Sequence, residues 1–425
     1  MQPTDRLHAL DAVRAYALLL GVVLHSAAGF LQGFPIPSWV DTPSTAAAVI
    51  YFVIHFFRMS AFFLMAGFFA RLVVERRGVK AFVKDRSKRI AVPLFLFGPV
   101  VLGVLLPIGF VLGALAHGLG YLQALGAQMQ SGQNGPVQSG SVFDNILAHL
   151  WFLYYLLIFY AFALGLRALV RAVDRRGRIA EVCDRIVAFL MSGIWGPVLI
   201  ALPIAVYVWQ LKSWTEWLGL PAPQSLVPNI TAMIGYGIAF GLGWLLNRQP
   251  QRLMNLQQHW AIYFVLAIAL TICCLSIIGT TPLWKGPNLE GSARIAYAAA
   301  YMIGIWCWVF AAVGAAVRFL SKGHPVTRYL ADASYWVYIM HMTTILFFIT
   351  LLRPYHWYWA IKFVIIVGGS MPILLLSYHY FVRFTWIGAI LNGRRHPRPQ
   401  ASAPAGTAAR KRCARTGLAD HLTKH

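Results

Sequence analysis

The stretch LHALDAVRAYALLLGVVLHSAAG, residues 7–29, decides the fold. It is long and apolar enough to cross a bilayer as one helix, which takes about 20 residues. It nevertheless carries Asp11, Arg14 and His25. An arginine near the centre of a membrane helix costs ~2.5–3.5 kcal/mol on insertion scales, so it is expected to face the bundle interior and to have a task. His25 follows Arg14 by eleven positions, about three helical turns, which puts both side chains on one stripe roughly 16 Å apart along the axis. A fixed cation at one depth and a titratable base at another give the helix two stations. Ser26, Ala27 and Ala28 resemble a signal-peptide cleavage site, but Asp11 and Arg14 interrupt the apolar region that such a peptide needs, so the segment reads as an uncleaved membrane helix.

The rest of the chain agrees. Of 425 residues, 59% are hydrophobic and 12% are charged, which excludes an ordinary soluble protein and points to an all-α integral membrane protein. Ten windows are apolar enough to span: 7–29, 46–70, 90–113, 145–167, 187–209, 229–246, 258–280, 295–318, 328–351 and 359–383. The formal charge of +23 is explained by where the cations lie. Of the 36 Lys and Arg, 29 fall in the termini and the connections after spans 2, 4, 6 and 8, and 5 fall on the other side. That asymmetry puts both termini in the cytoplasm. No nucleic-acid-binding signature is present, so nucleic acid is not an expected partner. The five cysteines show no metal-binding or disulfide spacing, and no metal site is expected.

The chain divides into a membrane domain, residues 1–391, and a basic Ala/Pro/Arg-rich tail, residues 392–425, which reads as disordered and cytoplasmic. Two outer segments are long. Residues 114–144 are rich in Gly, Ser and Gln, and residues 210–228, next to Trp209, include Trp214 and Trp217. Aromatic rings there either stack on a sugar or form an interfacial belt, and the belt is the simpler reading.

Polar residues inside the spans converge on one depth. Counting ~1.5 Å per residue from the cytoplasmic end places His25 and His149 near 27 Å, His55 near 22 Å and His341 near 20 Å, with Arg14 near 10 Å. Arg58 shares a helical face with His55, three residues away. Each has a bland reading: an interhelical hydrogen bond for a histidine, an ion pair with Asp11 for Arg14, plain topology for Arg86 and Arg89. Four histidines from four helices at one depth favour chemistry. Carboxylates are scarce in the spans, and no GxSxG, Walker or HExxH motif occurs, so the available chemistry is imidazole as general base with arginines for anions.

At this point the motifs resemble the acyltransferase-3 superfamily of membrane O-acyltransferases. The resemblance rests on LDAVRAYALLLGVVLH (10–25), with ten residues between its Arg and its His, and on RSKR (86–89). HFFRMSAFFLMAGFF (55–69), RSKRIAVPL (86–94), HLWFLYYL (149–156) and ASYWVYIMH (333–341) are similar to the glucans biosynthesis protein C branch. One departure is Met342, where that branch is expected to carry a second histidine.

The resemblance implies a bacterial inner-membrane enzyme that takes an acyl group, succinyl or acetyl, from cytoplasmic acyl-CoA. The acceptor would be a hydroxyl of a periplasmic glucan or other envelope carbohydrate. It puts the catalytic histidine on His25, the helix 1 arginine on Arg14 and the arginine pair on Arg86 and Arg89. Arg14, Arg86 and Arg89 would then hold the CoA phosphates, and Arg58 would steady an oxyanion or a succinyl carboxylate, with His55, His149 and His341 beside the base. The competing reading is a transporter or flippase for an acylated or lipid-linked sugar, with the histidines as a proton relay.

Overall fold

The computed structural model describes residues 3–33, 42–130 and 146–393, and every regular element among them is a helix. The 394–425 part of the tail, and 131–145 of the Gly/Ser/Gln-rich segment, lie outside the described residues. Helix α1 (Pro3–Ala28) is followed by α2 (Thr45–Arg86), which starts where Ser44 Oγ accepts the Ala47 N–H at 3.3 Å, an ordinary N-cap. α2 kinks at Gly78, whose φ of 80° suits glycine.

Beyond Arg86 the chain does not break. It winds on through π turns at Ser87–Ala91 and Pro93–Phe97, α3 (Gly98–Val100), a third π turn at Val101–Leu105, and α4 (Leu106–Leu115). Pro93, Pro99 and Pro107 remove three donors from this stretch, and wide turns accommodate the loss. Then come α5 (Leu119–Gln130), α6 (Trp151–Val173), α7 (Arg178–Leu190), α8 (Gly196–Gln210) and α9 (Ile230–Leu246). The chain closes with α10 (Leu253–Ile278), α11 (Gly291–Phe319), α12 (Pro325–Leu352), α13 (Trp359–Ser377) and α14 (Trp386–Asn392).

Among the described residues seven helical runs are long and apolar enough to cross a membrane, and α8 and α9 are apolar but shorter, at 15 and 17 residues. The expected spans 46–70 and 90–113 both fall within one run, Thr45–Leu115. The expected span 187–209 is not one helix. α7 ends at Leu190 and α8 begins at Gly196, because Ser192 Oγ and Trp195 Nε1 both donate to the Phe189 carbonyl, at 2.7 and 3.2 Å, and close the first helix. Hydropathy cannot register that stop, since the intervening MSGIW is itself apolar or small.

α1 packs against α2, α11 and α12, and α2 against α11, as the interior layer. α2 crosses α9 backbone to backbone: a Cβ on Gly67 would lie 2.0 Å from the Phe240 carbonyl oxygen, and one on Gly243 1.9 Å from that of Leu64. Close crossings of this kind rely on small residues. Outward positions are apolar instead: Phe162 on α6, Val265 on α10 and Val364 on α13 are all more than 60% exposed, as a lipid-facing surface requires.

The 210–228 segment corrects the belt reading. Trp214 and Trp217 are buried, at 3% and 1% exposure, whereas interfacial rings would be open to the surface. Burial follows from the fully buried Glu216, whose Oε1 sits 3.3 Å from Arg294 NH1 while Oε2 accepts from the Asn288 backbone N–H at 3.0 Å. Arg294 also donates to the carbonyls of Trp209 and Leu211, and Tyr297 to that of Glu216. The segment is pinned onto α11 and laid against α2.

Candidate active site

The structure brings His25, His149 and His341 together. The His25 and His341 ring centroids are 5.1 Å apart, and those of His149 and His341 5.2 Å apart. Three elements deliver them: α1, the 3-10 turn Ala148–Leu150 that leads into α6, and the middle of α12. His149 therefore sits in a turn rather than within the expected helix, and Ala148 takes a positive φ of 40° to present it.

Carbonyl oxygens only accept, so the hydrogen bonds assign the protons. His341 Nδ1–H donates to the Tyr338 carbonyl at 2.6 Å, which leaves Nε2 as the basic nitrogen, buried and without a partner. His149 Nε2–H donates to the Ile339 carbonyl at 3.1 Å, leaving Nδ1 likewise unpartnered. The Tyr338 hydroxyl donates to the His149 carbonyl, and its ring lies against both histidines. Tyr338 thus ties the α6 entry to α12. The signal for it was in the sequence, three residues before His341 in SYWVYIMH.

Arg58 reaches the same place from α2. A Cβ on Gly21 would lie 2.5 Å from Arg58 NH1 and 3.8 Å from His341 Nε2, so guanidinium and imidazole both face α1 one turn below His25. Arg58 is 9% exposed and, among the described residues, takes part in no ion pair. A buried cation without a counter-ion is costly and is the feature of an anion site. Its pattern-level signal was visible; the glycine that makes room for it was not.

His55 is held apart from the trio. Its Nε2–H is shared between the carbonyls of Leu218 and Leu220, at 2.9 and 3.1 Å, and its ring stacks on Tyr51 at 5.6 Å, with Tyr51 in turn stacked on Trp217 at 5.9 Å. The 210–228 segment pinned by Glu216 is what positions His55.

Toward the other end of α1, Arg14, Arg86 and Arg89 line one cavity of about 100 Å³, with Phe69, Tyr160 and Tyr335 among its other walls. Arg14 pairs with Asp11 at 3.1 Å and lies over the Phe69 ring. Asp85, which the sequence reading passed over, sits 3.7 Å from Arg86 and 3.8 Å from Arg89. Its i,i+4 spacing to Arg89 was the available clue. Arg89 Nε also donates to the Leu391 carbonyl, and Tyr335 to the Arg89 carbonyl. These contacts hold three guanidinium groups around one opening. Arg14 and His25 are on the unbroken helix α1, so the axial offset of roughly 16 Å holds. Among the described residues no cluster of three His, Cys, Asp or Glu has the arrangement of a metal site.

Comparison with known proteins gives the family of the chain. A family model described as an acyltransferase domain, of the acyltransferase-3 type, matches residues 7–378. Curated relatives are the glucans biosynthesis protein C of Salmonella paratyphi B, Salmonella heidelberg and Salmonella agona. Each is 30% identical over 172 residues, which is 39% of this chain and 40% of the relative, so the similarity spans well under half of either protein. No solved structure matches. The family match runs through every helix that carries the histidines and arginines described above, and the chain belongs to the acyltransferase-3 family of membrane acyltransferases.

Proposed function

We propose that the protein is a ten-span inner-membrane O-acyltransferase with both termini cytoplasmic. In this reading α8 and α9 span despite their length, and the run from Thr45 to Leu115 crosses twice. The donor is a cytoplasmic acyl-CoA carrying succinyl or acetyl, and the acceptor is a hydroxyl of a periplasmic glucan or related envelope carbohydrate. The observation that carries the reading is the pairing of two polar centres on α1: three arginines around a cavity at Arg14, and three histidines with an unpaired arginine at His25.

In the reaction His25 takes the proton of the acceptor hydroxyl as its oxygen attacks the thioester carbonyl carbon. The C–O bond forms, the C–S bond breaks, and the thiolate of CoA leaves and is protonated. Arg58 faces the oxyanion of the tetrahedral intermediate. His341 and His149, with their free nitrogens directed by carbonyl hydrogen bonds, orient His25 and pass its proton on. Arg14, Arg86 and Arg89 hold the donor's phosphates through charge-assisted contacts. The glucan acceptor is supported by the name of the relatives, and the family supports acyl transfer itself.

Labelled acyl-CoA supplied to reconstituted protein tests the proposal. Acylated glucan and free CoA are expected in equal amounts. Movement of a sugar across the vesicle membrane without acylation would favour the carrier reading instead.

A further inference from the structure

The cavity between Arg14, Arg86 and Arg89 is too small for a nucleotide, at about 100 Å³. A second cavity of about 800 Å³ adjoins it, and Arg14, Ala331 and Asp332 line both. That size is in the ~300–1,000 Å³ range of small-molecule sites. Its other walls come from His8 on α1, from His324 and Arg328 at the start of α12, and from Arg383 beyond α13. Three guanidinium groups and two imidazoles thus face two carboxylates, Asp11 and Asp332, and Asp11 is engaged with Arg14.

Arg383 lies over the Tyr329 ring at 5.0 Å, which fixes its direction, and its Nε is buried without a hydrogen-bond partner. Arg328 is exposed on the first turn of α12, where the positive end of a 28-residue helix adds to its field. The wide cationic cavity and the narrow one thus share Arg14, Ala331 and Asp332 as walls, and the narrow one is also lined by Phe62 and Phe152, of which Phe152 packs on Tyr338 beside the histidines.

We propose that this second cavity receives the phosphate-bearing nucleotide end of the acyl donor, with Arg328 and Arg383 as its anion-binding residues. The pyrophosphate that joins this end to the thiol-bearing arm then stays with Arg14, Arg86 and Arg89 at the mouth of the narrow cavity, and the arm passes Arg14 into it. The assignment rests on the thioester-donor reading above and adds two residues to it, both outside the α1 and RSKR arginines.

Titration of the detergent-solubilised protein with coenzyme A and, separately, with pantetheine tests it. The wild type is expected to bind coenzyme A more tightly than pantetheine. Arg328→Ala and Arg383→Ala are each expected to weaken coenzyme A about tenfold, the scale of one charge-assisted contact, and to leave pantetheine unchanged. Arg328→Lys is expected to restore most of the affinity, and an unaltered melting temperature shows that the variants are folded. Wild-type coenzyme A affinity in both folded alanine variants overturns the assignment. Displacement of coenzyme A by short-chain phosphatidylglycerol at equal concentration would give the cavity to lipid and also overturn it. A wild type that binds neither coenzyme A nor pantetheine removes the thioester reading, an outcome distinct from a misplaced nucleotide site.

Discussion

His341 has its Nδ1 proton committed to the Tyr338 carbonyl and its Nε2 buried without a partner. His341→Gln retains an amide of similar size but has no base. It is expected to lower kcat by about 10²–10⁴-fold, with donor affinity kept, measured as acyl transfer and coenzyme A binding on the same preparation. An equal loss of both would make His341 a packing residue. Gly21→Ala is a gentler probe. Its Cβ would meet the far end of the flexible Arg58 side chain, which can move aside, so the fold survives while the guanidinium shifts. A displacement near 1 Å costs about 10²-fold in rate, and unchanged turnover would release Arg58 from the chemistry.

The residue identities at this site were legible because they violate the rule for membrane helices. Arg14, Arg58, His25, His55, His149 and His341 stand out as polar atoms in apolar runs. Their grouping was only partly legible. Depth counted along helices cannot show that His55 turns to the Leu218 and Leu220 carbonyls while the other three meet.

At the scale of elements, two features set the geometry. α2 and α9 touch through Gly67 and Gly243, where the obstructing atoms are backbone carbonyls that cannot swing away. Gly67→Ala is expected to destabilise the protein by about 1–3 kcal/mol, seen as a lower thermal midpoint in detergent. The pin at Glu216 is the second. Its ionic contact to Arg294 is buried on both sides, so Glu216→Gln strands a cation and is expected to cost about 3–5 kcal/mol. The pairing itself was hidden in the sequence: Glu216 and Arg294 are 78 positions apart, and each looked like an ordinary loop charge. Helix ends were legible at Leu246 and Ile278, within two residues of the expected 246 and 280, but not after 70, where α2 runs on through polar residues to Arg86. The expected boundaries also failed at 187–209, where one tryptophan and one serine cap a helix inside an apolar run, and at 87–105, where prolines redirect the chain without stopping it.

At the scale of the whole molecule, the polarity of the bundle is the main fact. Arg14, Arg86 and Arg89 gather toward one end of α1, His149 and His341 meet its other end at His25, and apolar side chains such as Phe162, Val265 and Val364 face outward. On the basic end, outside the apolar spans, Arg248 donates to Asp184 through Nε and a terminal nitrogen at 2.6 and 2.7 Å and holds that carboxyl below the usual carboxylate range. A depressed carboxyl stabilises the fold above its unfolded value of about 4 and loses that contribution as pH falls through the folded value. Thermal stability is therefore expected to decline below about pH 4 by a small increment that Asp184→Asn abolishes, measured as the difference between the two pH profiles.

The central claim is that an acyl group crosses from the arginine end to the histidine end of α1 and leaves on a carbohydrate hydroxyl. The most direct measurement is acyl transfer from labelled acyl-CoA to periplasmic glucan, by wild type and by His25→Ala reconstituted at equal amounts in vesicles. Acylated glucan from the wild type and at least a hundredfold less from a folded, coenzyme A-binding His25→Ala is the predicted result. Equal product from both proteins would contradict the account.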